Sequence, residues 1–165
     1  MFQKKIPLFS LFGFKVGIDI TWFILAVLIT WSLAKGLFPH YFEGYSTRTY
    51  WWMGVAGALG LFISIVFHEF CHSLVARWFG MSMKGITLFI FGGVAEMHEE
   101  PKDAKSEFFM SLAGPVSSLL LAGILFSIYY GIKSTQSIRA FNSVLLYLAW
   151  LNVILALFNL IPAFP

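Results

Sequence analysis

His68, Glu69 and His72 are the residues whose types and spacing could do chemistry. In His68-Glu69-Phe70-Cys71-His72 the two histidines are four residues apart. On a helix that is one turn, so both imidazoles share a face with Cβ atoms about 5–6 Å apart, close enough to grip one zinc ion. Glu69 stands beside the first of them, where a carboxylate can take a proton from a water that the metal activates. The seventeen residues 51–67 just before the motif carry no charge. Three ionisable side chains at the end of such a span cost about 2–3 kcal/mol each near a bilayer centre, and a cost of that size implies a function. The pattern predicts a zinc-dependent peptidase site inside a membrane. The bland alternative is a buried histidine pair satisfied by hydrogen bonds.

Composition sets the surroundings of that site. Hydrophobic residues make up 59% of the chain and charged residues 12%. A soluble domain carries about a quarter charged residues, so the chain belongs in a lipid bilayer. Its 165 residues fit one membrane domain with no room for a sizeable soluble one. The net charge of +3 is small and spread over loops, which suggests no nucleic-acid partner and fits a positive-inside bias better. With Cys71 the single cysteine, no intrachain disulfide forms. The apolar run after the first lysines is broken at Lys15 and lacks a small-residue cleavage pattern, so the N-terminus is expected to be retained.

The elements that must position the motif follow from periodicity. Phe14, Val16, Ile18 and Ile20 alternate with Lys15, Gly17, Asp19 and Thr21, as in a strand with one wet face, and 6–11 can pair back across Phe12-Gly13. Residues 21–38 form a first transmembrane helix, 39–49 a polar loop, and 51–78 a second helix marked by Trp51, Trp52 and Trp78 at its interfaces. Gly60, Ser64, His68 and His72 form one stripe on it, whose small members serve close helix packing. Residues 83–97 alternate around Gly92-Gly93 and read as a hairpin, either an ordinary surface one or one at the membrane beside the motif whose edge takes an extended peptide. Residues 98–107 are charged, with Pro101 suited to open a helix; His98, Glu99 and Glu100 read as a solvated loop rather than a metal site. Residues 108–132 and 141–161 are the third and fourth helices. Gly114, Ser118 and Ala122 lie on a small face of the third, Pro115 stands in its early turns, and Asn152 and Asn159 share a face of the fourth. The fold class is therefore membrane all-α: about four transmembrane helices, with short β-hairpins at the membrane surface before helix 1 and between helices 2 and 3. Seven Lys and Arg on one side against four on the other favour a cytoplasmic N-terminus, so the second and fourth helices both run inward. A multi-pass protein of the plasma membrane is expected.

With these elements in place, the chain resembles the site-2 protease family of intramembrane zinc metalloproteases. The resemblance is carried by His68-Glu69-Phe70-Cys71-His72, Phe91-Gly92-Gly93, Ala113-Gly114-Pro115 and the segment from Asn159 to Pro165, in the family's order over most of the chain. It implies His68 and His72 as zinc ligands and Glu69 as general base, with Asn159 holding the substrate backbone or the developing oxyanion. Gly92 and Gly93, lacking side chains, would let a strand of substrate approach. In the family the segment matching Asn159 to Pro165 leads into Leu- or Met-Asp-Gly, whose aspartate is the third ligand. That aspartate is expected two residues past Pro165, so 1–165 is read as a single intramembrane metalloprotease core, incomplete at its C-terminus. Asp19, Glu96 and Glu99 are the carboxylates that could otherwise substitute. Phe70 and Cys71 stand where the family often has a larger aliphatic residue and a glycine. The implied activity is hydrolysis of peptide bonds in or near transmembrane segments of membrane-anchored regulatory proteins, such as anti-sigma factors or latent transcription factors, with one catalytic Zn2+. Two rivals stand beside it. One is a pseudoprotease that binds zinc or substrate without cutting. The other is a metal carrier, which would need further ligands at matching depth; helices one and three supply no His, Asp or Glu within their spans.

Overall fold

The computed structural model describes residues 5–81, 83–89, 92–97, 103–132 and 138–161. It opens with β1 (Lys5–Leu11) and β2 (Phe14–Asp19), an antiparallel hairpin. The tip needs a left-handed backbone at two successive residues: Phe12 has φ 50° and Gly13 φ 87°. Glycine adopts this freely, whereas phenylalanine does so only when held. Arg77 supplies the hold, donating from its guanidinium to the Phe12 carbonyl at 2.6 Å while lying 4.6 Å above the Phe14 ring.

The first membrane span runs through α1 (Thr21–Ser32), a π-helical turn at Leu33–Leu37 and α2 (Phe38–Tyr41). The sequence reading places Pro39 in a loop, but the structure keeps it helical at the first turn of α2, where its missing N–H costs nothing. The π turn absorbs the irregularity just ahead of it, with Phe38 N–H bonding Leu33 O five residues back. Asp19 caps the entry to α1 by accepting from Thr21 N–H (2.9 Å) and Thr21 Oγ1 (2.7 Å). Those two bonds hold its carboxyl below the ordinary value.

The central element is α3 (Thr47–Trp78), which touches the first span, α4, α5 and both later strands. Ser46 caps it, accepting from Thr49 N–H. Glycines let the first span lie against it: a Cβ on Gly54 would fall 2.7 Å from the Thr30 carbonyl oxygen. The strands β3 (Met83–Phe89) and β4 (Gly92–Met97) follow, then α4 (Ala104–Gly131), opened by an Asp103/Ser106 capping box, and α5 (Arg139–Leu160). Among the described residues, four helical segments are long and apolar enough to cross a membrane. The fold class is as read from the sequence, membrane all-α with short hairpins, although both hairpins belong to one four-stranded sheet ordered β1-β2-β3-β4. Parallel pairing of β2 with β3 joins them. Gly92 and Gly93 are not the turn but the first residues of β4, opposite Phe89 and Leu88.

The sheet seats on one flank of α3. Phe14, Phe70 and Ile86 make the buried contact, with the Phe14 and Phe70 rings edge to face at 5.7 Å. Phe70 stands between the two histidines in sequence, so one flank of the motif grips the sheet while the histidine face turns to α4.

Candidate metal centre

Both histidine rings point their Nε2 atoms at each other. His68 Nε2 and His72 Nε2 lie 3.1 Å apart, and His68 is fully buried. Behind them each Nδ1 is held from α4. His72 Nδ1 lies 2.6 Å from the Met110 carbonyl oxygen, and His68 Nδ1 lies 2.8 Å from Ser118 Oγ. A carbonyl only accepts, so His72 Nδ1 carries the proton and its Nε2 presents a lone pair. With Ser118 Oγ accepting from His68 Nδ1–H, the second Nε2 presents a lone pair too. Two lone pairs at 3.1 Å repel unless a cation or proton joins them. The alternative tautomer, in which His68 Nε2–H donates to His72, is the buried hydrogen-bonded pair foreseen from sequence.

The local backbone explains the support. Pro115 cannot donate to the Ser111 carbonyl, which loosens the helical ladder one residue after Met110. Gly114 lets α4 close upon the rings: a Cβ there would sit 2.5 Å from His68 Nε2 and closer still to His72 Nε2. Any side chain at 114 would strike both Nε2 atoms, so glycine is needed there for the rings to stay converged. A backbone carbonyl and a hydroxyl orienting the far ring nitrogens is also the usual support of metal-binding histidines. The residues present fit a zinc ion.

The other residues singled out from sequence fall around this pair. Glu69 is half-buried on the neighbouring flank of α3. Asn159, near the end of α5, donates from Nδ2 to the Leu155 carbonyl at 2.8 Å, and its side chain is within interaction reach of the His68 ring. Gly92 and Gly93 lie in β4, an edge strand of the sheet that contacts α3. Among the described residues no third His, Cys, Asp or Glu joins the histidines. Asp19 is engaged as the α1 cap, while His98, Glu99, Glu100, Phe91 and the residues 162–165 lie outside the described residues. Met110 and Ser118, which hold the histidine pair from α4, give no signal of that role in the sequence. The first acts through its backbone and gives no residue-type signal, and the second was read only as part of a packing face.

The sequence model of Peptidase family M50 matches residues 56–142, which contain the histidine pair and its α4 supports. The chain belongs to this family, the site-2 proteases. It is 36% identical over 163 residues to the Mycobacterium tuberculosis protein named "Putative zinc metalloprotease Rip3", covering 99% of this chain and 41% of that protein. Against zinc metalloprotease MJ0392 of Methanocaldococcus jannaschii the identity is 34%, covering 98% of this chain and 42% of the relative. The fold is similar to the solved site-2 protease from Methanocaldococcus jannaschii, with a TM-score of 0.68 and 30% identity over 98% of this chain and 67% of that one. The chain thus spans about two fifths of the length of the curated relatives it matches.

Proposed function

We propose that the protein is the core of an intramembrane zinc peptidase that hydrolyses peptide bonds in or near transmembrane segments of membrane-anchored regulatory proteins. The observation that carries this reading is the convergent Nε2 pair with both Nδ1 atoms held from α4. His68 and His72 would hold the metal, together with a carboxylate that the family resemblance puts beyond Pro165. When bound, zinc supplies Lewis-acid activation of a water and polarisation of the scissile carbonyl.

The chain's own residues do the rest. Glu69 takes the proton from the attacking water and returns it to the leaving amine, so proton transfer closes within one side chain. Asn159 orients the substrate backbone or stabilises its developing oxyanion through Nδ2. The β4 edge, with Gly92 and Gly93 offering no side chain, receives the substrate as an added strand. A transmembrane substrate must unwind to present such a strand, because its own helical hydrogen bonds shield each carbonyl. The Lys and Arg balance supports a cytoplasmic N-terminus in the plasma membrane, with the metal pair toward the inner side.

The test uses the full-length protein in liposomes with a membrane-anchored substrate segment. Wild-type protein should cleave it, chelation should stop cleavage, and added zinc should restore it. Glu69→Gln should retain zinc and lose about 10²–10⁴-fold in turnover. Zinc binding by a wild-type protein that never cleaves would make it a binding protein instead.

A further inference from the structure

Asn152 lies midway along α5 and is fully enclosed. Its Nδ2 donates to Ser64 Oγ on α3 and to the Leu148 carbonyl of its own helix, both at 2.9 Å. Ser64 in turn donates to the Gly60 carbonyl at 2.9 Å, so its hydroxyl is oriented to accept from Asn152. Asn152 Oδ1 meets no donor among the described residues. An amide with one end unsatisfied is a poor choice for a buried helix face where leucine would pack without loss. Stability does not explain it.

Register does. One turn earlier, the missing side chain of Gly60 is filled by Leu148, whose Cδ1 would lie 2.5 Å from a Cβ built there. The facing pairs are thus 60 with 148 and 64 with 152, four residues per step on both helices. The next step brings His68 to Ala156, which is fully buried. Both helices run the same way, since α4 returns between them. Asn159 lies seven residues past Asn152, about 10.5 Å along the axis, and His68 and His72 lie about 6 and 12 Å past Ser64. The heights place Asn159 between the two histidines. A slip of one turn in either direction would carry it out of the interval they span and leave the Asn152 amide without its partner.

We propose that the Ser64–Asn152 hydrogen bond is a register clamp between α3 and α5, and that Asn152 is a positioning residue for the peptidase site. It sets the height at which Asn159 reaches His68 and His72. The proposal rests on the peptidase reading given above.

The experiment uses full-length protein in the Cys71→Ser background, with spin labels at Ile63→Cys and Leu157→Cys, both on lipid-facing positions. Asn152→Leu keeps the branched side-chain shape and removes the bond. It should fold with undiminished thermal stability, shift the label distance by about 2 Å or more, and lower kcat by at least about tenfold at nearly unchanged KM. Ser64→Ala combined with Asn152→Leu should be no worse than Asn152→Leu alone. The exchanged pair, Ser64→Asn with Asn152→Ser, should restore both distance and kcat. Wild-type kcat and an unshifted distance in Asn152→Leu would overturn the clamp, leaving the Gly60–Leu148 packing to fix the register. If wild-type protein shows no peptidase activity, the peptidase reading fails, and the label distance still decides the clamp by itself.

Discussion

Replacing Gly114 by alanine tests whether the histidine pair is a metal site shaped by α4. The added methyl would stand 2.5 Å from His68 Nε2 and nearer still to His72 Nε2, whereas ordinary contact begins at 3.4 Å, so α4 must retreat by at least 0.9 Å or the rings must swing away. The same retreat stretches His68 Nδ1–Ser118 Oγ from 2.8 to 3.7 Å and His72 Nδ1–Met110 O from 2.6 to 3.5 Å, beyond useful hydrogen-bond length. Loss of one such supporting bond costs about 10–100-fold in metal affinity, and two together about 10²–10⁴-fold. Overpacking adds about 1–3 kcal/mol of destabilisation. The control is Gly123→Ala on the same helix, where a Cβ meets nothing within 4 Å. Zinc affinity would be read by competition with a chromophoric chelator, and folding by thermal unfolding in detergent. Gly114→Ala should bind zinc far more weakly while the control matches wild type. Zinc affinity within about threefold of wild type in Gly114→Ala would refute the argument, because overpacking cannot spare a centre it directly occupies.

Three further outcomes follow from the same contacts. Ser118→Ala frees His68 Nδ1 without changing volume much, and should weaken zinc binding about 10–100-fold with the fold intact; unchanged affinity would assign the bond to packing alone. Gly60→Ala should destabilise by about 1–3 kcal/mol through collision with Leu148, and adding Leu148→Ala should recover part of it in a double-mutant cycle; simple additivity would count against the contact. The Asp103 carboxyl is held below its ordinary value chiefly by the Ser106 backbone N–H, then by the Ser106 hydroxyl. A depressed folded value gives stability that is complete above the unfolded value near 3.9 and is lost as pH falls through the folded one. Asp103→Asn should therefore flatten the acid-side loss of stability below about pH 4, and parallel acid slopes for the two proteins would contradict this.

The parts legible in the sequence were those with a local period. Long apolar runs gave four spans, and alternation gave both hairpins, because each pattern is set by neighbours a few residues away. The union of the hairpins was not legible: β2 and β3 pair Lys15 with Gly85 and Ile18 with Leu88, and nothing local to either strand specifies a partner so distant. The sequence places Pro39 in a polar loop, yet with a π turn ahead of it and a place in the first turn of α2 it stays helical. At the site, residue types single out His68, Glu69 and His72, and the structure brings the two histidine Nε2 atoms together. Gly114 was visible as a small residue, but whether it faced a lipid, a helix or two ring nitrogens depended on the crossing of α3 and α4.

The identity of Phe70 shows how tightly one helical turn is shared. His68 and His72 face α4, where Ser118 Oγ and the Met110 carbonyl hold their Nδ1 atoms. Phe70, two residues along, points to another flank, and there its ring meets Phe14 and Ile86 of the sheet. The motif is thereby clamped from both sides: the sheet fixes the rotation of α3 about its axis, and α4 fixes the rings. Sheet backbone beside membrane helices is tolerated only when its polar groups are paired. Joining two short hairpins through β2 and β3 leaves only the two outer edges unpaired by neighbouring strands. One of those edges is β4, which lies against the motif helix. The pairing that makes a rigid seat for Phe70 thus also leaves β4 as an edge strand against α3, the edge that the proposed peptidase reading assigns to an extended substrate.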